Sequence, residues 1–211
     1  MTQQDEIRLL LAGGVVKRAS ELRAAGIRPQ AIADALRMGS ITRTAAGAYY
    51  AREEGSVVED IGLATAATKM PKAVACLMTA AYLCGLVDRP PAEIWLALPV
   101  GAYAAKQGTI PCRIRRWYSS EAFTQGIGTK DVHGVQVRHT APARTVFDLL
   151  RDGSRLGLAD AGVLAARRFV QDGGSIAEVI SFAEVLKMPR QARQTIDILA
   201  TALNEASVAR G

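Results

Sequence analysis

Glycine punctuation at the start of the chain limits its fold more than any other feature. Gly13-Gly14, Gly26 and Gly39 divide this stretch into three short segments. Glycine ends helices by accepting left-handed backbone, so none of the three can grow into a long helix. In the first, Thr2 is suited to cap a helix with Asp5 and Glu6 in its opening turn, and Ile7, Leu10 and Leu11 supply an apolar face. The second predicts a helix over Val15–Ala25 and the third a helix over Pro29–Met38, with proline at its favoured first position. Short helices joined by glycine turns form a helix-turn-helix pattern.

The third segment is amphipathic. Ile32, Ala35 and Leu36 face inward, while Gln30, Asp34 and Arg37 recur at i, i+4 and i+7 on the other side, with Arg28 just before them. Arginine and glutamine suit the donor and acceptor edges of guanine and adenine in the major groove, although a solvated helix face accounts for the same pattern. Next, Ile41–Thr44 and Ala48–Ala51 read as strands turning at Ala45-Ala46-Gly47. A hairpin directly after such a helix is a wing, and Arg43 stands where a wing meets phosphate or the minor groove. Up to Arg52 there are eight basic and four acidic residues; the remainder has eighteen and sixteen. The net charge of +6 is thus concentrated at the start, as expected for a nucleic-acid surface. The residues assigned to DNA are Arg18, Arg28, Gln30, Asp34, Arg37 and Arg43.

Glu53-Glu54-Gly55 reads as a hinge between a winged helix-turn-helix (1–53) and a larger unit (54–211). Ser56 is expected to cap a helix over Val57–Thr68, and Pro71 to open one ending near Cys84-Gly85. Strands are expected over Glu93–Leu98 and Ile110–Tyr118, and a hairpin over Gly126–His139 turning at His133-Gly134. Thr140 is expected to cap a helix that Pro142 opens and that runs through Leu150; in it Arg144 and Asp148 are spaced to pair. Helices over Leu158–Gln171, Ser175–Leu186 and Pro189–Ser207 complete a mixed α+β chain with a helical C-terminal part. Hydrophobic residues make up 49% and aromatics 5%, so the core must be chiefly aliphatic.

Residues for chemistry are sparse. Cys76, Cys84 and Cys112 have no CxxC spacing, and His133 and His139 lack a cluster of acids or cysteines, so neither a disulfide framework nor a metal site is expected. Asp88 and Glu93 lack the lysine that a metal-dependent nuclease site would add, and Gly126-Ile127-Gly128 is too short a match for a phosphate loop. No enzyme activity and no cofactor are expected. The polar start and the lack of an apolar run of about 20 residues predict a cytoplasmic protein. One surface stands out: Arg113, Arg115 and Arg116 interleave with Ile114, Trp117 and Tyr118. Arginine with aromatics is a binding composition, although charges guarding an edge strand give the same pattern.

The stretches Ala24-Ala25-Gly26-Ile27, Met38-Gly39-Ser40-Ile41-Thr42-Arg43 and Gly47-Ala48-Tyr49-Tyr50-Ala51 resemble the N-terminal domain of the AbiEi-type antitoxins. These are the transcription-regulating antitoxins of the AbiE abortive-infection (type IV) toxin–antitoxin systems of phage defence. Ala45-Ala46 stand where that family often carries a basic residue. Met78–Leu86, Ile94–Pro99 and above all Val137–Leu150, with Thr140, Pro142, Arg144-Thr145 and Asp148, are similar to its second domain. The C-terminal part matches only in helical character. The resemblance implies an antitoxin that represses its own operon at an inverted-repeat operator in duplex DNA. It also implies a neighbouring nucleotidyltransferase-like toxin with which no stable complex forms. Arg113, Arg115, Arg116 and Trp117 are then the candidate antitoxin surface, and Thr140, Arg144 and Asp148 a structural motif. The alternatives are a stand-alone winged-helix transcription factor with a sensor or interaction domain, and a DNA-processing enzyme anchored by its wing.

Overall fold

The glycine-punctuated start folds as three short helices around a core of Ile7, Leu11, Leu22, Ile27, Ile32, Ala35, Ile41 and Tyr49. A computed structural model describes residues 2–44, 47–51, 58–105 and 111–186. Helix α1 (Gln3–Leu10) begins in a capping box: the Thr2 hydroxyl accepts from the Asp5 amide and the Asp5 carboxylate accepts from the Thr2 amide. Helices α2 (Ala19–Ala24) and α3 (Pro29–Arg37) follow, the latter with Ile32 and Ala35 buried.

The expected helix over Val15–Ala25 is only partly there. Lys17–Arg18 form strand β1, and the helix starts at Ala19. Arg18 is extended, and its amide donates to the Glu21 carboxylate at 2.6 Å, which fixes the helix start one residue later. Strand β1 pairs with β3 (Ala48–Tyr50), which also pairs with β2 (Thr42–Arg43), so the wing is a three-stranded sheet in the order β1-β3-β2.

The second sheet has five strands in the order β6-β5-β4-β8-β7. They are β4 (Val74–Ala75), β5 (Ile94–Pro99), β6 (Cys112–Trp117), β7 (Ile127–Val132) and β8 (Val135–Thr140). Strand β5 is parallel to β6 and antiparallel to β4, and β4 is parallel to β8. Ile94 to Leu98 are all buried because β5 is covered on both faces. Ile94, Leu96 and Leu98 join a core with α4 (Val58–Lys69), whereas Trp95 and Ala97 join one with α5 (Leu77–Leu83), α6 (Pro142–Leu156), α7 (Ala159–Gln171) and α8 (Ile176–Val185). The chain is therefore a winged helix followed by a mixed α/β layer structure with a helical C-terminal part.

Three further readings are corrected. The Pro71 helix is in fact strand β4 followed by the shorter α5, because Val74 and Ala75 are fully buried between β5 and β8. Helix α6 runs to Leu156 and stops at Gly157 in the left-handed region. The residue at its N-terminal boundary is Ala141, not Thr140; the Thr140 hydroxyl instead lies 2.7 Å from that of Thr145. Arg52, the hinge at Glu53-Glu54-Gly55, Ser56, Val57, Ala45-Ala46, Ile110 and the Pro189–Ser207 helix lie outside the described residues.

A close contact joins the winged unit to the sheet. His133 and Gly134 both have positive φ, 51° and 74°, the geometry of a tight two-residue hairpin turn between β7 and β8. The Val16 amide donates to the His133 carbonyl at 2.8 Å. Val16 and Ala48 also contribute to the core beneath α4.

Candidate nucleic-acid interface and arginine cleft

Helix α3 presents an ordered polar row. Gln30 Nε2 donates to Asp34 Oδ1 at 3.1 Å, and Arg37 Nη2 lies 3.0 Å from the same oxygen. Asp34 therefore ties its two neighbours into one row on the exposed side of the helix. Arg37 is 71% exposed, so this pair orients more than it stabilises. Arg28 caps the helix by position, and its amide donates to the Gln3 side chain at 2.9 Å. From the wing, Arg43 places its guanidinium 6.0 Å from the Tyr49 ring centre.

Arg18 does not join this group. It pairs across the sheet with Ala48, and Arg43 pairs with Tyr49. Ala48 and Tyr49 are adjacent, so the two arginines lie on opposite faces of the wing. Arg18 lines a separate basic cleft of about 350 Å³ with Ser20, Arg23, Thr68 and Lys69. Sequence reasoning missed Arg23 and Lys69: they sit on separate elements and share no spacing.

On the edge strand β6, side chains alternate. Arg113, Arg115 and Trp117 pair with Trp95, Ala97 and Pro99 and face the helices α5–α8; Arg116 faces the other way. Arg113 is committed to an ion pair with Glu93 and to the Trp95 ring, 5.1 Å away. Arg116 Nη1 donates to the Pro99 and Ala102 carbonyls at 2.8 and 2.7 Å, which fixes the chain after β5. Trp117 packs on Phe123 with ring centres 5.1 Å apart. Arg115 faces a cleft of about 740 Å³ that Trp117, Tyr118, Arg151 and Arg155 also line, with Arg116 reaching only its rim.

Helix α6 supplies the cleft's inner wall as a ladder of charges. Buried Arg144 donates to Asp148 at 3.0 Å and to the Gln125 carbonyl at 2.7 Å, and lies 4.9 Å from the Trp117 ring centre. Arg151 bridges Asp148 and Asp152, each at 2.9 Å, and Arg155 closes on Asp152. Burial pushes the Asp148 carboxyl up despite Arg151 and Arg144. Burial also opposes ionisation of Asp152, but Arg151 and Arg155 outweigh it and hold that carboxyl below its ordinary range.

The remaining reactive groups are quiet. Burial pushes the Cys84 thiol up to about 11, and it lies 3.7 Å from His139 Nδ1. Burial raises Cys76 further. A thiol held protonated is a packing group rather than a nucleophile. His133 sits in the hairpin turn, away from that contact in sequence and strand register. Among the described residues no group of three histidine, cysteine or acidic side chains is arranged to hold a metal, and no helix is long and apolar enough to cross a membrane.

Residues 73–194 match the family described as the AbiEi antitoxin C-terminal domain. Across 96% of this chain and 78% of the other, the fold is similar to the crystal structure of the RV2827C protein from Mycobacterium tuberculosis, with a TM-score of 0.64 at 16% identity. That likeness is one of fold. No curated protein matches the chain.

Proposed function

The chain belongs to the AbiEi antitoxin family, and from that membership we propose that it is the antitoxin of a type IV pair which also represses its own operon through the winged helix. An antitoxin role in a toxin–antitoxin system comes with the family. The observation that carries the regulatory half is the α3 row, in which Asp34 holds Gln30 and Arg37, followed along the chain by Arg43 of the wing. This fits a duplex: α3 enters the major groove, Arg37 and Gln30 meet base edges, and Arg43 meets the backbone. Arg28 extends the row, and Arg18, with Arg23 and Lys69, supports a flanking phosphate contact from the other wing face. On this reading residues 1–53 read the operator, an inverted repeat in the promoter, and residues 54–211 act against a nucleotidyltransferase-like toxin without a lasting complex. Of the four antitoxin-surface residues, Arg115 is the best placed to act, since Arg113 and Arg116 are held by partners within the chain.

The test is binding of the full chain to DNA from its own promoter, followed by growth rescue of cells expressing the neighbouring toxin. Specific retention of promoter DNA together with rescue supports both halves. Rescue without retention would remove the autorepressor reading and leave the antitoxin. A stand-alone regulator with a sensing domain is the second reading, favoured by the arginine-lined cleft; retention without rescue by the intact chain would select it.

A further inference from the structure

The cleft between the β6 edge and the C-terminal half of α6 has a composition that the antitoxin reading does not require. Its volume, about 740 Å³, is that of a small-molecule site. Four arginines, Arg115, Arg144, Arg151 and Arg155, line it against the carboxylates of Asp152 and Glu121, with Asp148 behind, which leaves a formal excess of one positive charge; Arg116 reaches its rim from the other face of β6. Most of these arginines have structural work: Arg144 is buried on Asp148, and Arg116 is tied to two carbonyls. Two do not. Arg115 is half-buried in the wall and makes no ion pair among the described residues. Arg155 is 72% exposed and shares Asp152 with Arg151, so Asp152 keeps a partner if Arg155 turns away.

We infer that this cleft binds a phosphate-bearing nucleotide, with its phosphates against Arg115 and Arg155, backed by Arg151, and its base against Tyr118 beside Trp117. Guanidinium groups match phosphate oxygens in paired, planar geometry, and several converging arginines favour a multiply charged phosphate over a single carboxylate. Tyr118 is 88% exposed at the cleft, a costly position for an aromatic ring in water but a natural one for stacking on a base. Asp152 is paired with both Arg151 and Arg155, so it holds the two guanidiniums together on the α6 wall across from Arg115. The inference is independent of the antitoxin reading, since it concerns the isolated protein and that reading concerns rescue in cells.

Titration calorimetry on the full chain tests it, with ATP, GTP, CTP and UTP, with adenosine, with inorganic triphosphate and with a short polyglutamate peptide as probes. At least one nucleoside triphosphate should bind saturably, inorganic triphosphate more weakly, and adenosine not measurably. Arg115→Gln and Arg155→Gln should each weaken binding about tenfold, the scale of one charge-assisted hydrogen bond. Tyr118→Ala should bring the nucleotide down to the affinity of inorganic triphosphate. Arg37→Ala, on the DNA face, should bind nucleotide as the parent does. Arg155 is exposed, so its variant retains the fold and keeps the test decisive if Arg115→Gln melts early. No saturable binding of any of the four nucleotides overturns the proposal, as does equal binding by the Arg155→Gln variant. Binding of polyglutamate in their place assigns the cleft to an acidic protein segment and overturns it as well.

Discussion

Arg144 and Asp148 meet at 3.0 Å with only 1% of either side chain exposed, one turn apart on α6. Arg144 also donates to the Gln125 carbonyl and stacks between Trp117 and Phe182, so one side chain ties α6 to β6, to α8 and to the loop before β7. Arg144→Ala is expected to cost about 3–5 kcal/mol, because it strips the buried Asp148 of one of its two arginines and leaves the Gln125 carbonyl without its donor. Arg144→Met combined with Asp148→Leu should be less destabilised than Arg144→Ala alone, since no uncompensated charge remains. Denaturant unfolding at neutral pH measures both. A double variant as unstable as the single one would show that the carbonyl contacts, not the pair, hold this joint.

The DNA face should respond residue by residue. Loss of a phosphate contact at Arg43 should reduce the salt slope of promoter binding by about one unit, whereas Arg37→Ala should cost about 1–3 kcal/mol and relax discrimination between sequences. Arg23→Ala and Lys69→Ala should behave like Arg43→Ala if the second basic cleft meets the backbone. Fluorescence anisotropy over a salt series reads all four. Unchanged affinity in both the Arg37 and Arg43 variants would remove these residues from the interface.

Acid should loosen the α6 ladder with a definite sign. Asp152 is held below the ordinary carboxyl value of 3.8 in the folded chain. Its contribution is therefore fully present above 3.8 and is lost as the pH falls below that toward the folded value. Asp148 is shifted upward, so its protonation in the range above 3.8 favours the fold and delays the loss. Asp152→Asn should melt lower than the parent at pH 7, and the gap should narrow below about pH 4. A gap that stays constant down to pH 3 would show that Asp152 is not shifted.

Gly126 is the tightest spot in the same joint. It has φ of 62°, and a Cβ there would lie 2.7 Å from Arg144 Cβ and 2.7 Å from the Phe182 ring. Gly126→Ala adds left-handed strain to that clash and is expected to destabilise by about 1–3 kcal/mol. A melting temperature within a degree of the parent would mean that Phe182 moves aside freely.

Periodicity carried the longer elements. Helix α3, the β7–β8 hairpin and the start of α6 were legible because Pro29, His133-Gly134 and Pro142 mark them locally. Strands β1 and β4 were not. Two residues have no period, and each is a strand only because a distant segment pairs with it: Ala48–Tyr49 for Lys17–Arg18, and Leu96–Ala97 for Val74–Ala75. The arginine row of β6 was visible as composition, but alternation alone could not show that Arg113 and Arg116 are occupied within the chain and Arg115 faces the cleft. Nor could spacing reveal that Arg151 and Arg155 stand across from it, because they arrive on α6 from far along the chain.

The hairpin turn at His133-Gly134 limits how such chains can recombine. Its hydrogen bond to Val16 runs from backbone to backbone, so a winged unit of different sequence could keep it. The opposite side is not so tolerant: a Cβ at Gly134 would stand 2.7 Å from Val15 Cγ1. A grafted reading head would thus need an extended, apolar pair at 15 and 16 and a small apolar residue at 48, against a body that keeps glycine at 134. Operator specificity could then diverge on α3 while the body it is mounted on stays the same.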